Sequence, residues 1–502
     1  MFKPVDSKVN IPAMEEAILQ FWKDRDIFRK SVESRAGGPQ FKTMKGYQAP
    51  RKGGWDTHGL PVELEIEREL GISSKPEIED YGIDLFNARC RESVMRYVKE
   101  WESLTDRIAF WVDMDNAYVT FTNEYIESCW WIMKQLWDAG LVYRHYRVTP
   151  HCPRCGTSLS SHEVALGYKD DTPDPSVYVK FRVDKEATLT TDGPLPRALQ
   201  GDVPTFLLAW TTTPWTLPGN TALAIAPDAE YAVVEVGESE EEKARLILAS
   251  ALVDRAVLGE HSTVAFVRGQ DLLSLKYEPL YSPDRVNSSV LRFVPGDDGR
   301  RGELQYAPTR QGETKWSYPV IPGDFVSMED GTGIVHIAPA YGDVDFQAGE
   351  EHGLFFIQTV DLSGNMTILL GKPNAEDDIG GRFVKDADPR IKQDLQERGL
   401  LYRSETITHT YPFCWRCDTP LLYYAKTSWY IRTTAVKDEL INGNLEINWY
   451  PEHIKQGRFG DWLENNIDWA ISRERYWGTP LNVWRCESCD GTQCVGGLDE
   501  LR

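Results

Sequence analysis

Two pairs of cysteines with the spacing Cys-x-x-Cys bracket a long stretch of this sequence and limit how the chain can fold. The first pair is Cys152 and Cys155, and the second is Cys414 and Cys417. Two such pairs on tight turns can supply the four thiolates of one tetrahedral structural zinc site. A shared ion would tie the beginning of the intervening segment to its end, which predicts an inserted domain closed at its base. The alternative is four separate reduced thiols.

The intervening segment has the pattern of a β domain. Short runs rich in β-branched and aromatic residues, separated by Gly, Pro and Asp, predict strands joined by turns. Three of these runs lie at 177–179, 206–210 and 231–234. Helical and strand patterns precede and follow this segment. We therefore predict an α/β fold in which a mostly β insertion at 151–425 separates two pieces of one domain, at 1–150 and 426–502.

Apolar residues at helical spacing predict helices in the first piece. These helices lie at about 12–30, 85–110 and 123–139. Tryptophans and other large apolar residues recur on one face of each, which is more typical of a packed core than of a cofactor site. The buried residues predicted from this pattern include Met95, Trp101, Ile108 and Trp130.

The charge balance limits the partners that the chain can bind. A formal charge of −22 over 502 residues argues against binding to DNA or to membranes through a general basic field. An RNA could still be held by local basic clusters, although solvated surface charge is the alternative for each. The clusters lie at 51–52, 144–147 and 473–475. No apolar run is long enough to cross a membrane, and the first residues lack the apolar core of a secretion signal.

Cysteine usage indicates a reducing compartment, so we expect a cytoplasmic protein. Six of the nine cysteines stand in Cys-x-x-Cys pairs, which fits metal ligation better than disulfides. The third pair, Cys486 and Cys489, is half of a metal site. Cys494 could add a ligand, but a fourth is lacking, so the sequence leaves zinc binding at this pair open.

A glycine-bracketed loop at 53–61 holds the carboxylate of Asp56 and the imidazole of His58. Glycines let the backbone approach a small ligand, and a carboxylate can receive the ligand's ammonium group. Taken alone, the loop is explained equally well as a structural turn.

A second polar set lies within the β segment. Its threonines end an apolar strand, and its histidine and aspartate follow a glycine-rich turn. Threonine hydroxyls suit a ribose, a terminal adenine or an ester oxygen. The alternative is an exposed strand and a satisfied core histidine, but their combination in one domain favours a binding site. The set comprises Thr211, Thr212, Thr213, Asn220, His336 and Asp345.

Six motifs along the chain resemble one protein family, in that family's order. They are GWDTHGLPVE, CPRCGTSLSSHEVALGYK, WTTTPWTLPGN, DGTGIVHIAPAYGDVD, YPFCWRC and DWAISRERYWGTPL. Together they resemble the class I aminoacyl-tRNA synthetases for branched aliphatic amino acids, and among these the isoleucyl-tRNA synthetases, over essentially the whole chain. The resemblance implies a Rossmann catalytic domain interrupted by a β-rich editing domain with zinc knuckles.

The resemblance also implies substrates and residue roles. L-isoleucine, ATP with magnesium, and tRNA(Ile) would be the substrates of the full-length enzyme, which we expect to be a monomer. Asp56 would hold the substrate ammonium group, with His58 nearby. The polar set of the β segment would form the pocket that hydrolyses mischarged Val-tRNA(Ile). Zinc would be bound by Cys152, Cys155, Cys414 and Cys417.

Two departures from the family pattern concern ATP. Gln40-Phe41 runs directly into a segment at 42–47 that resembles the second Rossmann strand, so the first strand and the His-Ile-Gly-His segment are skipped. The chain also stops at Arg502, before the Lys-Met-Ser-Lys-Ser loop. We therefore expect this chain alone to retain only editing. The alternatives are a stand-alone editing hydrolase and a non-catalytic, zinc-stabilised tRNA-binding fragment.

Overall fold

The structure is a computed structural model, and it divides by its internal contacts into two compact units. The first unit contains Met1–Tyr143 and Trp429–Arg502, and the second contains Arg144–Ser428. The boundaries predicted from the sequence, at 150/151 and 425/426, lie a few residues away, and the functions assigned to the segments stay predictions. The structure describes residues 10–34, 51–72, 75–186, 194–237, 239, 242–281, 290–294, 303–306, 317–368, 370, 378–489 and 491–502.

A six-stranded sheet is the largest element of the second unit. Its residues alternate between two apolar clusters: Val177, Val179 and Phe181 belong to one, and Tyr178 belongs to the other. Because successive side chains of a strand point to opposite faces, this sheet is covered on both faces. All three runs predicted as strands lie within it, so those predictions are confirmed. From edge to edge the strands are His261–Arg268, Glu230–Val236, Ala244–Ala249, Thr205–Thr211, Tyr168–Arg182 and Leu401–Pro412.

The two ends of the β region meet because their strands pair. Tyr168–Arg182 and Leu401–Pro412 run antiparallel, with Tyr168 beside Pro412 at one end of the ladder. The Phe413 N–H continues the pairing with a bond of 2.8 Å to the Gly167 carbonyl. This pairing brings the segments that carry the two cysteine pairs together.

A four-stranded sheet in the same unit positions two residues of the predicted polar set, Asn220 and His336. Asn220 lies two residues before one strand of this sheet, and His336 on the neighbouring strand lies opposite Leu223. In order, the strands are Lys276–Tyr277, Tyr318–Pro322, Ala222–Ile225 and Ile334–Ile337. A three-stranded sheet consists of Glu303–Tyr306, Val290–Val294 and Phe355–Ile357.

Short helices connect the strands of the second unit, and one longer helix packs on its core. The α-helices are Ser161–Ala165, Pro194–Ala198, Val253–Ala256, Gly269–Leu272, Asp343–His352 and Val384–Glu397. The 3-10 helices are Pro214–Gly219 and Ser250–Leu252, and Thr157–Ser158 is a further short strand. The chain passes between the units along the strands Val142–Cys152 and Leu422–Ile431.

The first unit is mainly helical in the described residues. Its α-helices are Ile11–Arg25, Ile27–Glu33, Leu60–Leu70, Lys75–Tyr81, Ile83–Val94, Val98–Arg107, Asn123–Asp138, Lys437–Glu446, Arg458–Glu464 and Leu498–Leu501. Its 3-10 helices are Thr433–Val436 and Glu452–Ile454. Its strands are Lys52–Trp55, Asp113–Val119, Trp469–Ala470, Val483–Arg485 and Thr492–Cys494. No helix in the described part of the chain is long and apolar enough to cross a membrane.

The Rossmann arrangement stays a prediction. Lys52–Trp55 and Asp113–Val119 form a parallel pair, which is the strand relation that such a domain uses. The segment at 42–47, predicted as a further strand, lies outside the described residues.

Two predictions for the first unit are wrong. The helix predicted at 85–110 is two helices, Ile83–Val94 and Val98–Arg107. Trp101 is 58% exposed and Met95 and Ile108 are also exposed, whereas Trp130 is 7% exposed, as predicted. Helical periodicity identifies a common face, but it carries no information on whether another part of the chain covers that face.

Candidate functional site

The four cysteines of the two bracketing pairs form one compact cluster. Their sulfur atoms all lie within 4.8 Å of one another. The Cys417 sulfur is 3.4 Å from that of Cys152 and 3.5 Å from that of Cys155. Tetrahedral zinc with Zn–S bonds of about 2.3 Å requires sulfurs about 3.8 Å apart. The cluster therefore has the donor set and the spacing of a four-thiolate metal site.

Ion pairs on either side of this cluster hold its two segments together. Arg416 lies 2.8 Å from Glu163, and Lys169 lies 2.5 Å from Asp418. Each pair joins the segment after Cys155 to the segment around Cys417, in addition to the strand pairing described above. The shape of the thiolate cluster is thus supported by contacts that do not involve metal.

The third cysteine pair lies on the turn of a small hairpin. Cys486 and Cys489 are exposed, whereas Cys494 is buried and accepts a 3.4 Å bond from the Asn482 amide. Within the described residues, the bracketing cluster is the one group of three or more metal-binding side chains that lie together. Metal binding by Cys486 and Cys489 therefore stays a prediction.

His336 is the centre of a buried polar network in the second unit. Its Nε2 lies 2.8 Å from the Thr216 hydroxyl, and its Nδ1 lies 3.1 Å from the Asn220 amide nitrogen. Burial lowers the pKa of His336 to about 4, so the ring is neutral at physiological pH. The structure thus joins two residues of the predicted polar set, Asn220 and His336, through direct contact.

The predicted threonines are adjacent to this network, and they are more exposed to solvent than Asn220 and His336 are. Thr211 ends a strand of the large sheet, and its hydroxyl lies 3.2 Å from that of Thr213. Thr213 in turn contacts Thr216, whose hydroxyl donates to the Thr213 carbonyl at 2.7 Å. Thr211, Thr212 and Thr213 are half-buried. The hydroxyls of Thr211 and Thr213 are therefore linked through Thr216 to the buried His336.

Asp345 lies in the first turn of the helix Asp343–His352, which follows the strand of His336. Its Oδ2 accepts the Ala338 N–H at 2.8 Å, two residues after His336. Burial raises the pKa of Asp345 to about 6. The carboxylate is charged at neutral pH, where it can receive a cation at a half-buried position.

The predicted Asp56 and His58 lie in the first unit, on a loop that a distant segment holds. The His58 ring lies 5.3 Å from the indole of Trp477, whose Nε1 donates to the Thr57 carbonyl at 2.5 Å. Thr57 is buried, and its N–H donates to the Thr120 hydroxyl at 2.9 Å. Burial lowers the pKa of His58. Asp56 is exposed, so its carboxylate is accessible to a small ligand.

A buried carboxylate fixes the segment that contributes Trp477. Glu63 is 3% exposed, and its Oε1 accepts the N–H groups of Tyr476 and Trp477 at 2.7 and 2.8 Å. Arg475 lies 3.8 Å from the other carboxylate oxygen. This arrangement joins two of the six motifs, which are far apart in sequence.

Three functional candidates were not singled out from the sequence. Thr216 stands within the threonine-rich motif, and its repeat of the Thr-x-x-Thr spacing with Thr213 was the available signal. Glu63 also lies within a motif. Tyr277, which contacts Asn220 at 2.7 Å, has no motif around it, because only the sheet brings it there.

The chain is similar over its whole length to bacterial isoleucine–tRNA ligases. It is 53% identical to that of Dehalococcoides mccartyi strain CBDB1 over 532 residues, which include 100% of this chain and 50% of the relative. With that of Thermus thermophilus it shares 46% identity, over 100% of this chain and 46% of the relative. The chain thus spans about half the length of the curated relatives it matches. A crystal structure of GlLeuRS-CP1 has a TM-score of 0.32 at 14% identity over 45% of this chain and 96% of its own, too low a score to establish a common fold.

The family described as tRNA synthetases class I (I, L, M and V) matches residues 38–502. This range includes the thiolate cluster, the His336 network and the loop of Asp56. The chain belongs to this family of class I aminoacyl-tRNA synthetases.

Proposed function

We propose that this chain is the part of an isoleucine–tRNA ligase that carries a Rossmann-type catalytic domain and an inserted editing domain. The observation that carries the proposal is the identity of 53% with an isoleucine–tRNA ligase over the whole chain. The full-length enzyme would activate L-isoleucine with ATP and magnesium and transfer it to tRNA(Ile). Asp56 would hold the ammonium group of isoleucine beside His58 and Trp477.

A pocket that accepts isoleucine cannot strongly exclude valine. Isoleucyl-tRNA synthetases are the known example of this limit, in which one methylene is worth only about 1–3 kcal/mol. A second pocket that admits valine and rejects the larger isoleucine is the physical remedy. We propose that the second unit provides it and hydrolyses Val-tRNA(Ile).

The contacts around His336 support this assignment. Asp345 is charged above about pH 6 and can anchor the ammonium group of the aminoacyl ester. The half-buried hydroxyls of Thr211, Thr212 and Thr213 can bind the terminal ribose and the ester. Asn220 and His336 are buried behind these threonines, which suits them to form a wall that limits the size of the side chain.

Hydrolysis at this pocket needs no covalent intermediate. No Ser–His–Asp arrangement occurs among the polar residues of the proposed pocket, so we propose direct attack by water. Water adds to the ester carbonyl, the bond to the terminal ribose oxygen breaks, and valine and the free hydroxyl of the tRNA are released.

Several further properties belong to the same proposal. Zinc is the ion that we assign to Cys152, Cys155, Cys414 and Cys417, because a buried four-thiolate set of this size suits it. In the zinc-bound protein this ion would stabilise the base of the second unit. We also propose a monomeric, cytoplasmic protein with tRNA(Ile) as its macromolecular partner.

The sequence contains no His-Ile-Gly-His segment, which favours a chain that retains only the hydrolytic reaction. The same observation favours a second candidate function, that of a stand-alone editing hydrolase. Isoleucine-dependent exchange between ATP and pyrophosphate separates the two, because only a ligase catalyses it. A non-catalytic fragment would instead bind tRNA without hydrolysing its ester.

The test compares two aspartates of one helix turn. Asp345→Ala should abolish hydrolysis of Val-tRNA(Ile) by the full chain, because it removes the proposed ammonium anchor. Asp343→Ala is the matched control, because Asp343 is exposed and its carboxylate contacts Gln347 on the same helix at 3.0 Å. If the Asp345→Ala protein hydrolyses the ester at the parent rate, the proposed pocket is wrong.

A further inference from the structure

The hydrogen bonds around His336 have one consistent direction. Asn220 fixes it, because its amide nitrogen lies 2.9 Å from the Ala222 carbonyl, which can only accept. The Asn220 Nδ2 therefore faces the Ala222 carbonyl, and its second hydrogen is available to His336 Nδ1, 3.1 Å away. The amide oxygen is left facing the Tyr277 hydroxyl at 2.7 Å. Tyr277 is thus the donor of that bond.

The hydrogen bonds at the other ring nitrogen, Nε2, are consistent with this direction. An Nδ1 that accepts from Asn220 carries no proton, so the neutral ring is protonated at Nε2. Nε2 then donates to the Thr216 hydroxyl at 2.8 Å. The Thr216 hydroxyl has one hydrogen, which it donates to the Thr213 carbonyl at 2.7 Å. Every donor in this hydrogen-bonded chain, from Tyr277 to the Thr213 carbonyl, therefore meets an acceptor.

Burial makes the directions of these hydrogen bonds hard to reverse. Tyr277 is 0% exposed, Asn220 is 4% exposed and His336 is 7% exposed. Reversal of any one bond would leave a buried donor facing a donor, which is costly where water cannot compensate. Both ring nitrogens of His336 are engaged, so the ring is a poor acceptor for a proton from water.

We propose that Tyr277 is a positioning residue which, together with the Ala222 carbonyl, orients the Asn220 amide, fixes His336 as the Nε2-protonated tautomer and holds its ring as a rigid wall of the deacylation pocket. The proposal rests on the proposed hydrolysis of Val-tRNA(Ile) by the second unit. Tyr277 touches neither substrate nor water in this account. It acts only through the orientation of the Asn220 amide. The selection of the pocket for the smaller side chain then depends on the Tyr277 hydroxyl, which contacts Asn220 and not the substrate.

Removal of the Tyr277 hydroxyl should weaken the hydrogen-bonded chain around His336. In Tyr277→Phe the Asn220 oxygen loses its donor and the amide orientation is held by the Ala222 carbonyl without Tyr277, so the Nε2-protonated tautomer of His336 is less strongly preferred. We expect the hydrolysis of Val-tRNA(Ile) relative to Ile-tRNA(Ile) to become about tenfold less selective, the scale of one lost buried hydrogen bond. Tyr318→Phe is the matched control, since Tyr318 is similarly buried, with its ring 6.0 Å from that of Tyr277, but is not a member of the chain.

The experiment measures the tautomer as well as the selectivity. In the full chain with 13C-labelled histidine rings, the Cδ2 shift of His336, assigned by its loss in His336→Gln, reports which nitrogen carries the proton. The parent and Tyr318→Phe should show the Nε2-protonated form, and Tyr277→Phe should show a mixture. Asn220→Asp replaces the amide donor with an acceptor of the same size, so it should favour a proton on Nδ1.

Two results would overturn the proposal. One is an unchanged His336 tautomer in both Tyr277→Phe and Asn220→Asp, which would show that the chain does not fix the ring. The other is a changed tautomer in Tyr277→Phe with unaltered selectivity, which would show that the ring is not a selective wall. A parent chain that hydrolyses neither ester would contradict the proposed function instead, while the tautomer measurement would still decide whether Tyr277 fixes His336.

Discussion

Replacement of Asp345 by asparagine should stabilise the second unit while it abolishes the proposed hydrolysis. The Ala338 N–H, now bonded to Asp345 at 2.8 Å, can donate equally well to an asparagine oxygen. The change therefore removes the charge and keeps the bond. A charge held for ligand binding is expected to cost stability at a half-buried position.

The magnitude follows from the pKa of this carboxyl. Burial raises the pKa from 3.8 to about 6, and this difference corresponds to at most about 3 kcal/mol. Because the side chain is half-buried, solvent screening reduces the expected gain to about 1–2 kcal/mol. For a unit of this size, that gain should raise the melting temperature by roughly 2–8 °C.

The pH dependence has a defined sign. The folded state holds its proton more tightly than the unfolded state, so the free energy of unfolding of the parent falls as pH rises from 3.8 to about 6. Above that range the full cost of the charge is present. The stabilising effect of Asp345→Asn should therefore be complete at pH 8 and about half as large at pH 5.

Scanning calorimetry of the full chain at both pH values measures this effect in the transition of the second unit. Asp343→Asn is the control, because it removes an exposed charge from the same helix turn. Equal melting temperatures for the parent and Asp345→Asn at pH 8 would refute the reasoning. So would an equal gain in the control.

Three further predictions concern other parts of the molecule. Cys414→Ser should lower both the zinc content per chain and the melting temperature of the second unit, whereas metal-free protein prepared without chelators would contradict the four-thiolate site. The purified chain should not catalyse isoleucine-dependent ATP–pyrophosphate exchange, and exchange above a no-enzyme blank would contradict this. Glu63→Ala removes the acceptor of the buried Trp477 N–H and the part-buried Tyr476 N–H and should destabilise the first unit by about 2–4 kcal/mol, measured by calorimetry, with Glu63→Gln as the milder control.

The thiolate cluster and the polar set show how far sequence patterns extend. The spacing of Cys152, Cys155, Cys414 and Cys417 predicted one shared site, and the structure brings their sulfurs within 4.8 Å. Here the metal-binding residues of each pair lie close together in the sequence, on one short turn. Asn220 and His336 were also identified locally, as members of two polar motifs, and the paired strands bring them into contact.

The parts that were missed depend on contacts between distant residues. Tyr277 is 57 positions from Asn220, and only the order of strands in the sheet makes them neighbours. Trp101 and Trp130 both lie on apolar helical faces, but one is exposed and the other is buried. Periodicity describes one helix at a time, so it cannot distinguish them.

The most direct test of the account is the rate at which the full chain deacylates Val-tRNA(Ile) compared with Ile-tRNA(Ile). We expect faster hydrolysis of the valyl ester, because the wall formed by Asn220 and His336 excludes the larger side chain. Equal rates for the two esters, or no hydrolysis of either by folded, zinc-loaded protein, would contradict it.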